Sequence, residues 1–255
     1  MDGNHLRLSR AAKENHVRPA ADPLFRTAAA TLRGNVIGVV LTGQMDDGSA
    51  GLDAVKQCGG IAVVQDPRTA EAASMPRSAL RRVRVDHCVS LEQLPGLLER
   101  LVREFAPRAA EIPQQVLREA LINLGSDGME HLGALGTPSG LTCPDCGGGL
   151  WELKDDKLLR YRCHTGHAYS PMSLANAQVE KAEEKLWASV RALQEKQMLL
   201  RRVAEAAEQG GDPVPAAQAR AAADQLEQRI QALRALAEQR GEDDDPPQAP
   251  EEPGV

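Results

Sequence analysis

Three cysteines and a histidine in one stretch of the sequence have the spacing of a metal site. Two residues separate Cys143 from Cys146, sixteen residues separate Cys146 from Cys163, and His167 is the fourth residue after Cys163. A two-residue gap lets one turn present both sulfurs, and three thiolates with one imidazole suit a tetrahedral zinc ion. All four positions are filled by protein side chains, which leaves none for a catalytic water. We therefore predict a structural zinc site.

The fourth zinc ligand has an alternative in His164, the residue after Cys163. We favour His167 because adjacent side chains diverge where the backbone is extended. A competing interpretation is that the three cysteines are buried or incidental and have no metal role. Zinc would contribute roughly 10 to 16 kcal/mol of folding free energy, which replaces the core that a unit of about 30 residues lacks. Cys58 and Cys88 lie far from this stretch, and we expect both in the core.

A second candidate for chemistry is the loop Thr42 to Gly48, with the sequence T-G-Q-M-D-D-G. It directly follows Val36 to Leu41, an unbroken apolar and β-branched run that is typical of a strand buried on both faces. Open parallel sheets place their sites at the carboxyl ends of such strands. Asp47 can orient a histidine there, as in a Ser-His-Asp triad, or it can cap the helix that follows.

Ser49 lies in a segment that imitates a nucleophile elbow, Asp47 to Gly51. The first glycine of that motif is replaced by Asp47, and the strand ends several residues too early. We therefore expect Ser49 to belong to the first turn of a helix and not to act as a nucleophile. Three other histidines are expected to be surface or strand residues: His5, His16 and His87.

The elements around the loop indicate a parallel α/β sheet. A helix with apolar residues at helical spacing begins near Ala50 and stops at Gly59-Gly60, and Ile61 to Gln65 is a second strand. This βαβ unit should have a right-handed crossover. A third strand is predicted at Arg84 to Val89 and a helix at Leu91 to Phe105. A further helix is predicted before the unit, Asp22 to Leu32, with Asp22 as its cap and Pro23 at its first position.

The number of strands is too small for a complete sheet. Val36 to Leu41 has the sequence of a central strand, but residues 1–105 offer only about three parallel strands and a short extended piece at His5 to Ser9. We expect a partial doubly wound parallel sheet whose N-terminal half is missing. The alternative is a small three-layer domain that closes in another way.

The rest of the chain differs in composition from segment to segment. Residues 106–140 are predicted to be a linker with one helix, Gln114 to Leu124. Apolar stripes from Pro171 to near Gly210, and from Ala216 to Arg240, predict an antiparallel helical hairpin. The stripes should pack the helices together or against the metal unit, and a partner-binding coiled coil is the alternative. The predicted divisions are 1–105, 106–140, a zinc-ribbon-like unit at 141–169, the hairpin at 170–240 and a disordered acidic tail at 241–255.

Composition limits the classes of function. The 255 residues carry a net charge of -6, two residues each of Trp, Tyr and Phe, and no clustered basic face, which argues against nucleic-acid binding. No apolar run approaches the roughly 18 residues that a membrane span needs. Residues 1–18 lack the apolar segment of a secretion signal, so we expect a cytoplasmic protein without membrane insertion.

Several motifs resemble those of one family in the same order. LTGQMDDGSAGLDAVKQCGGIAVVQD, MPRSAL at Met75 to Leu80 and RPAADPLFRTAA at Arg18 to Ala29 resemble the catalytic domain of CheB-type chemotaxis protein-glutamate methylesterases, over about Asp2 to Val102. LTCPDCGGGLWEL through CHTGHAYS, with the helix that follows, resembles a zinc-binding extension of some members.

The resemblance implies hydrolysis of glutamyl methyl esters in methyl-accepting chemoreceptors. In that family a serine attacks the ester, a histidine takes its proton and an aspartate orients the histidine. The aspartate falls on Asp47, whereas the serine, in a Gly-x-Ser-x-Gly-Gly turn, and the histidine lie upstream of the matched segment. We therefore expect a truncated chain that is inactive alone. The alternative is a non-catalytic, zinc-dependent interaction module whose C-terminal helices bind a partner.

The loop also departs from the family pattern T-G-M-G-x-D-G. Gln44 and Met45 stand where that pattern has methionine and glycine. A bulky residue at a glycine position predicts that the loop is held differently.

Overall fold

The computed structural model describes residues 5–104, 110–126, 128–154 and 159–243, with side chains through residue 238. The chain divides into two compact units, Met1–Ala175 and Asn176–Val255. The first unit contains the α/β region and the Cys/His stretch, and the second contains most of two long helices. No helix in the described ranges combines the length and apolar character needed to cross a membrane.

The α/β region follows the predicted order of elements, and two further helices fall within it. Sequence patterns missed the short helix that begins at Ser74 and a 3-10 turn at Pro67–Thr69. The extended piece predicted at His5 to Ser9 forms no strand. The elements are α1 (Ala21–Leu32), β1 (Ile37–Val40), α2 (Ser49–Gln57), β2 (Ile61–Gln65), α3 (Ser74–Arg82), β3 (His87–Val89), α4 (Leu94–Arg103) and α5 (Gln114–Asn123).

Three parallel strands form the first sheet, in the order β1-β2-β3. Ile37 is paired with Ile61, and Val63 with His87. β2 is therefore the central strand, and β1 pairs with one neighbour within the described ranges. The predicted parallel α/β sheet of about three strands is confirmed.

Both faces of β2 are buried, as an unbroken apolar run predicts. Ala62 and Val64 face α2 and α3, whereas Val63 packs against α4. Cys58 is buried as predicted, but the expectation for Cys88 was wrong, because this residue is exposed on the short strand β3. Three residues of edge strand offer too little neighbouring surface to cover its side chain.

A second, antiparallel sheet carries the Cys/His stretch. The segment predicted to be a linker contains most of the first strand of this sheet and a second helix. The strand was not predicted because it contains Pro138 and Gly140, which usually mark loops. Here they lie in an edge strand with a register shift. The sheet has the order β4-β5-β6-β7. Its elements are α6 (Gly128–Leu135), β4 (Gly136–Thr142), β5 (Gly149–Leu153), β6 (Tyr161–Cys163) and β7 (Ala168–Tyr169).

The N-terminal segment covers the free edge of β7. Glu14 forms a parallel bridge with Ala168. The N–H of Asn15 donates to the Ala168 carbonyl at 2.7 Å, and the Ala168 N–H donates to the Lys13 carbonyl at 3.3 Å. Residues 13–15 thus extend the second sheet by one short strand-like piece.

Two long helices, α7 (Pro171–Gln209) and α8 (Pro213–Asp243), form the predicted hairpin. In the second unit they contact each other, since Gln197 Nε2 donates to the Ala223 carbonyl at 3.2 Å and to Glu227 Oε2 at 2.7 Å. The second helix begins at Pro213, earlier than predicted, because proline suits the first position of a helix. It also extends to Asp243, past the predicted start of the tail, and residues 244–255 lie outside the described ranges.

Candidate functional site

Asp47 lies in the loop after β1 and caps a helix other than the predicted one. Its Oδ2 accepts a hydrogen bond from the Ala21 N–H at 2.6 Å, and its Oδ1 accepts one from the Asp22 N–H at 3.2 Å. Both donors belong to the first turn of α1. The helix after the loop, α2, begins behind Gly48, which has φ 84° and provides no side chain. The prediction that Asp47 caps α2 was therefore wrong.

Asp22 makes the reciprocal contact. It was predicted to cap its own helix, but it lies inside the first turn of α1 and accepts the Gly51 N–H from the first turn of α2 at 2.6 Å. The two helices approach closely here, because a Cβ on Gly51 would lie 2.8 Å from the Asp22 carbonyl oxygen. Each carboxylate thus satisfies N–H groups of the opposite helix, at the positive ends of both helix dipoles.

Asn15 connects the two carboxylates. Its Nδ2 donates to Asp22 Oδ2 at 2.8 Å and to Asp47 Oδ1 at 3.3 Å. Its carbonyl Oδ1 accepts the Ser170 N–H at 3.2 Å and the Ser173 hydroxyl at 3.3 Å. The backbone of Asn15 is left-handed, with φ 50°, a conformation that asparagine tolerates better than most residues. Sequence patterns gave no indication of a role for Asn15.

The buried Asp22 carboxyl has an unusual acidity. Burial, and then the nearby negative charge of Asp47, raise its pKa from 3.8 to about 7. The side chain is almost fully inaccessible, with 3% of the residue exposed. Asp22 therefore holds a proton over a pH range in which an ordinary aspartate has lost it.

We expect this proton to make the stability of the protein dependent on pH. The folded state binds it more tightly than the unfolded state, so the free energy of unfolding should fall as pH rises from about 4 to 7, by up to about 4 kcal/mol. Asp22→Asn should remove most of this fall, because asparagine does not titrate. Urea unfolding at pH 5, 6, 7 and 8 measures it. Equal slopes in both proteins would contradict the assignment to Asp22.

Met45 in the same loop has a conformation that is usual for glycine. Its φ is 63°, in the left-handed region that favours residues without a Cβ. Its carbonyl oxygen accepts the Ser74 hydroxyl at 2.9 Å, and Ser74 is the first residue of α3. Met45 therefore adopts the left-handed backbone conformation that glycine favours, and its carbonyl is hydrogen-bonded to the first residue of α3.

The predicted metal ligands lie together in the second sheet. One ligand atom from each of Cys143, Cys146, Cys163 and His167 lies within 4.8 Å of the others. The Cys146 and Cys163 sulfurs are 3.8 Å apart, and Cys163 Sγ is 3.4 Å from His167 Nδ1. A tetrahedral ion with Zn–S bonds of about 2.3 Å places its sulfurs about 3.8 Å apart. The four side chains thus fit a metal ion.

Neighbouring polar groups support the ligand atoms. Thr165 Oγ1 is 2.9 Å from Cys163 Sγ and 3.1 Å from His167 Nδ1. The Tyr169 hydroxyl donates to Asp145 Oδ2 at 2.7 Å and lies 3.4 Å from Cys143 Sγ. Such partners orient metal ligands and fix their protonation. The cluster therefore has hydrogen-bond partners beyond the four ligand side chains.

Two thiol groups of the cluster differ in acidity. A hydrogen bond from Cys143 holds the pKa of Cys163 at about 2. The same hydrogen bond, and then burial, raise the pKa of Cys143. A hydrogen bond to Cys163 also raises the pKa of His167. These hydrogen bonds favour the thiolate form of Cys163, which is the form that metals bind.

His164 lies beside the cluster without joining its ligand atoms. Its ring packs against Gly148, where a Cβ would meet His164 Cε1 at 2.9 Å. The described metal-binding group contains His167. This geometry favours His167 over His164 as the fourth ligand.

A buried ionic cluster joins the α/β region to the second sheet. Glu14 and Glu119 are each 2% exposed and together contact three arginines, which are Arg26 of α1, Arg162 of β6 and Arg160 just before β6. Arg26 Nη1 donates to both Glu14 oxygens at 3.0 Å, and Arg160 forms a two-point contact with Glu119 at 2.7 Å. Sequence reasoning missed the cluster, since its members come from distant positions without a shared motif. They are Glu14, Arg26, Glu119, Arg160 and Arg162.

Comparisons with known proteins give partial matches. A family model described as CheB methylesterase matches residues 1–98. A Leptospira interrogans protein is 51% identical over 87 residues, which are 34% of this chain and 45% of that protein. A Pyrococcus abyssi protein named protein-glutamate methylesterase/protein-glutamine glutaminase is 39% identical over 97 residues, 38% of this chain and 26% of that protein.

A solved structure gives a similar result. The crystal structure of the Thermotoga maritima CheB methylesterase catalytic domain is 33% identical, with a TM-score of 0.36, and the match covers 37% of this chain and 50% of that one. The match thus spans less than half of the length of these two relatives.

Proposed function

We propose that residues 1–98, which match the CheB methylesterase family model, form the aspartate-bearing part of a protein-glutamate methylesterase active site. The substrate is then the methyl ester of a glutamate side chain in a chemoreceptor, and hydrolysis releases methanol and the glutamate. In this proposal Asp47 accepts a hydrogen bond from the catalytic histidine, fixes its tautomer and stabilises the imidazolium that forms during the reaction.

The observation that carries the proposal is the environment of Asp47. The residue follows the parallel strand β1, whose residues alternate between half-buried and buried, and it lies at the carboxyl end of the sheet, where such folds place their sites. Three donors hold its carboxylate: the N–H groups of Ala21 and Asp22 and the amide of Asn15. A carboxylate has about four acceptor positions, so one is left for a histidine. The half-buried side chain is therefore oriented and still able to accept a hydrogen bond.

The family resemblance places the nucleophilic serine and the histidine upstream of the matched segment. The 255 residues contain no Gly-x-Ser-x-Gly-Gly sequence. We infer that the purified 255-residue chain does not release methanol from methylated receptor, and that the α/β region needs the upstream part of such a domain for catalysis. Robust turnover by the chain alone would contradict this inference.

A fusion tests the role of Asp47. In this fusion, the N-terminal part of the Leptospira interrogans relative, up to the segment that matches this chain, is followed by the full 255-residue chain. Methanol release from methylated receptor is then measured. The fusion should hydrolyse methylated receptor, and Asp47→Asn should lower kcat about 10⁴-fold, because the histidine loses its correct tautomer.

The control for this test is the neighbouring carboxylate. Asp46 contacts Arg82 at 2.7 Å and makes no described contact with α1. Asp46→Asn should therefore change kcat by less than about tenfold, which corresponds to less than 1.4 kcal/mol. Equal losses in the two variants would contradict a specific role for Asp47. An inactive fusion that is folded would instead favour the non-catalytic interaction module.

We further propose that the Cys/His group binds zinc and that this zinc is structural. Three thiolates and an imidazole suit zinc, and all four coordination positions come from the protein. We also propose that residues 141–169 and 170–240 are separate structural units. The proposal includes a cytoplasmic location and a partner that binds the C-terminal helices.

Histidine variants test the ligand set. His167→Ala should lower the zinc content from about one ion per chain and weaken binding by at least about tenfold, because a ligand is lost. His164→Ala should leave both unchanged, since the His164 ring lies beside the cluster. Elemental analysis and competition with a chromophoric chelator measure the two quantities. The reverse ranking would assign the fourth ligand to His164.

A further inference from the structure

We propose that metal occupancy and the orientation of Asp47 are coupled through Asn15, which acts as a positioning residue. This rests on the proposed function only in the role given to Asp47. The coupling itself is a property of the hydrogen bonds that connect the Cys/His cluster with the loop after β1. It would make the methylesterase site dependent on a structural metal that takes no part in the chemistry.

The first link runs from the metal ligands to β7. The Cys163 N–H donates to the His167 carbonyl at 2.9 Å and closes the turn between β6 and β7. Ala168 and Tyr169 of β7 follow His167 directly, and the Tyr169 hydroxyl lies 3.4 Å from Cys143 Sγ. A bound ion would therefore hold β7 from both sides, through the ligand that precedes it and through a ligand in contact with Tyr169.

The second link runs from β7 to Asn15. The Asn15 N–H donates to the Ala168 carbonyl at 2.7 Å. The Asn15 side-chain carbonyl accepts from Ser170 and Ser173, the residues just after β7 and at the start of α7. Asn15 is 8% exposed, so these contacts are shielded from water. Both the backbone and the side chain of Asn15 are therefore held by the residues that follow the metal ligand His167.

The third link runs from Asn15 to the two carboxylates. Because Ser170 and Ser173 occupy its carbonyl, the amide group of Asn15 must point the other way, toward Asp22 and Asp47. These carboxylates in turn accept the first N–H groups of α1 and α2. A change at β7 thus reaches Asp47 through one residue and two sets of hydrogen bonds.

Loss of the ion should loosen this connection. Without a metal, the turn between β6 and β7 is held by short strands of three and two residues. Such small elements have low local stability and open readily. Once β7 opens, Asn15 loses the groups that fix its backbone and its amide. Coupling between sites is reciprocal, so a weaker hold of Asn15 on the carboxylates must also weaken metal binding.

Amide hydrogen exchange of the full chain, observed by NMR, tests the proposal. The probes are the three N–H groups capped by the carboxylates, those of Ala21, Asp22 and Gly51. Removing zinc with EDTA should speed exchange at these amides at least tenfold, whereas the amides of Val63 and Val64 in β2 should stay protected. Unchanged exchange at the three probes after zinc removal would overturn the proposal.

Asn15→Gly separates the coupling from general unfolding of the metal unit. Glycine keeps the left-handed backbone but removes the amide that contacts the carboxylates. With zinc bound, the three probe amides should again exchange at least tenfold faster, and zinc affinity should fall about fivefold or more. Lys13→Ala is the control, because Lys13 takes part here through its backbone carbonyl; it should behave as the wild type.

Unchanged zinc affinity in Asn15→Gly, or equal effects of Lys13→Ala, would overturn the coupling. Neither measurement depends on ester hydrolysis. An inactive fusion would therefore overturn the proposed function while leaving the coupling intact, and absence of coupling would leave the methylesterase assignment intact.

Discussion

Replacing Glu119 by glutamine is expected to lower the free energy of unfolding by about 3 to 5 kcal/mol. The carboxylate is buried, forms a two-point contact with Arg160 and lies 3.3 Å from Arg26 Nε and 3.6 Å from Arg162 Nη2. Glutamine has almost the same shape but no charge. The buried guanidinium groups of Arg26 and Arg162 and the partly exposed one of Arg160 would then share Glu14 as the carboxylate of the cluster, and an unpaired buried charge is costly.

Urea unfolding at pH 7 measures this change, and an exposed pair provides the control. Glu99 is 71% exposed and lies 3.5 Å from Arg103, one turn further along α4. Glu99→Gln should cost less than about 0.5 kcal/mol, because solvent screens such pairs. A cost for Glu119→Gln equal to that of Glu99→Gln would show that the buried cluster contributes nothing specific.

The cluster also predicts the behaviour of the protein in acid. Burial would raise the pKa of Glu14, but the charges of Arg162 and Arg26 outweigh it and lower the pKa from 4.5 to about 2. The pKa of Glu119 is lowered in the same way, by Arg160 and Arg26 against burial. Their contribution to stability is therefore present above pH 4.5 and is lost as pH falls through the folded pKa values. Glu119→Gln should make the acid transition less steep.

The second large effect is expected from Cys163→Ser. Cys163 is fully buried and is the ligand closest to two others. Its loss should remove stoichiometric zinc and unfold the sheet β4–β7, because structural zinc contributes on the order of 10 kcal/mol to such units. Trp151 of β5 packs beside Ile122, Leu132 and Leu135 and reports on this sheet by fluorescence. Trp187→Phe in the second unit removes the other tryptophan signal.

Cys88→Ser is the matched control for this prediction. Cys88 is exposed in β3 of the parallel sheet and belongs to no described metal group. It should keep about one zinc per chain and the fluorescence of the parent. Retention of stoichiometric zinc by Cys163→Ser would contradict the metal assignment.

The sequence was sufficient for the βαβ unit and for the four Cys/His side chains that lie together in the second sheet. Ile61 to Val64 is apolar because both faces of β2 are covered, and the apolar run of β1 is covered on one face and half-buried on the other, so the βαβ unit could be recognised from its pattern. The Cys-x-x-Cys spacing likewise places two sulfurs in one turn whatever the rest of the chain does. Both are local consequences of a few neighbouring residues.

The contacts of Asp47 could not be obtained in this way. A carboxylate just before a helix usually caps that helix, and the sequence offered no sign that α1 begins nearby in space. The exchange of caps depends on the close approach of α1 and α2 at Gly51. The buried ionic cluster has the same origin, since Glu14 and Arg162 meet through tertiary packing over a large sequence separation.

The covering of β7 by residues 13–15 has a consequence for synthesis on the ribosome. About 150 residues separate Asn15 from its partner Ala168. At 5 to 20 residues per second, the N-terminal segment leaves the ribosome roughly 8 to 30 s before the strand that it pairs with. During that interval Glu14 and Asn15 lack their partners in the second sheet. The loop after β1 can therefore reach its final arrangement only after the Cys/His stretch has been translated.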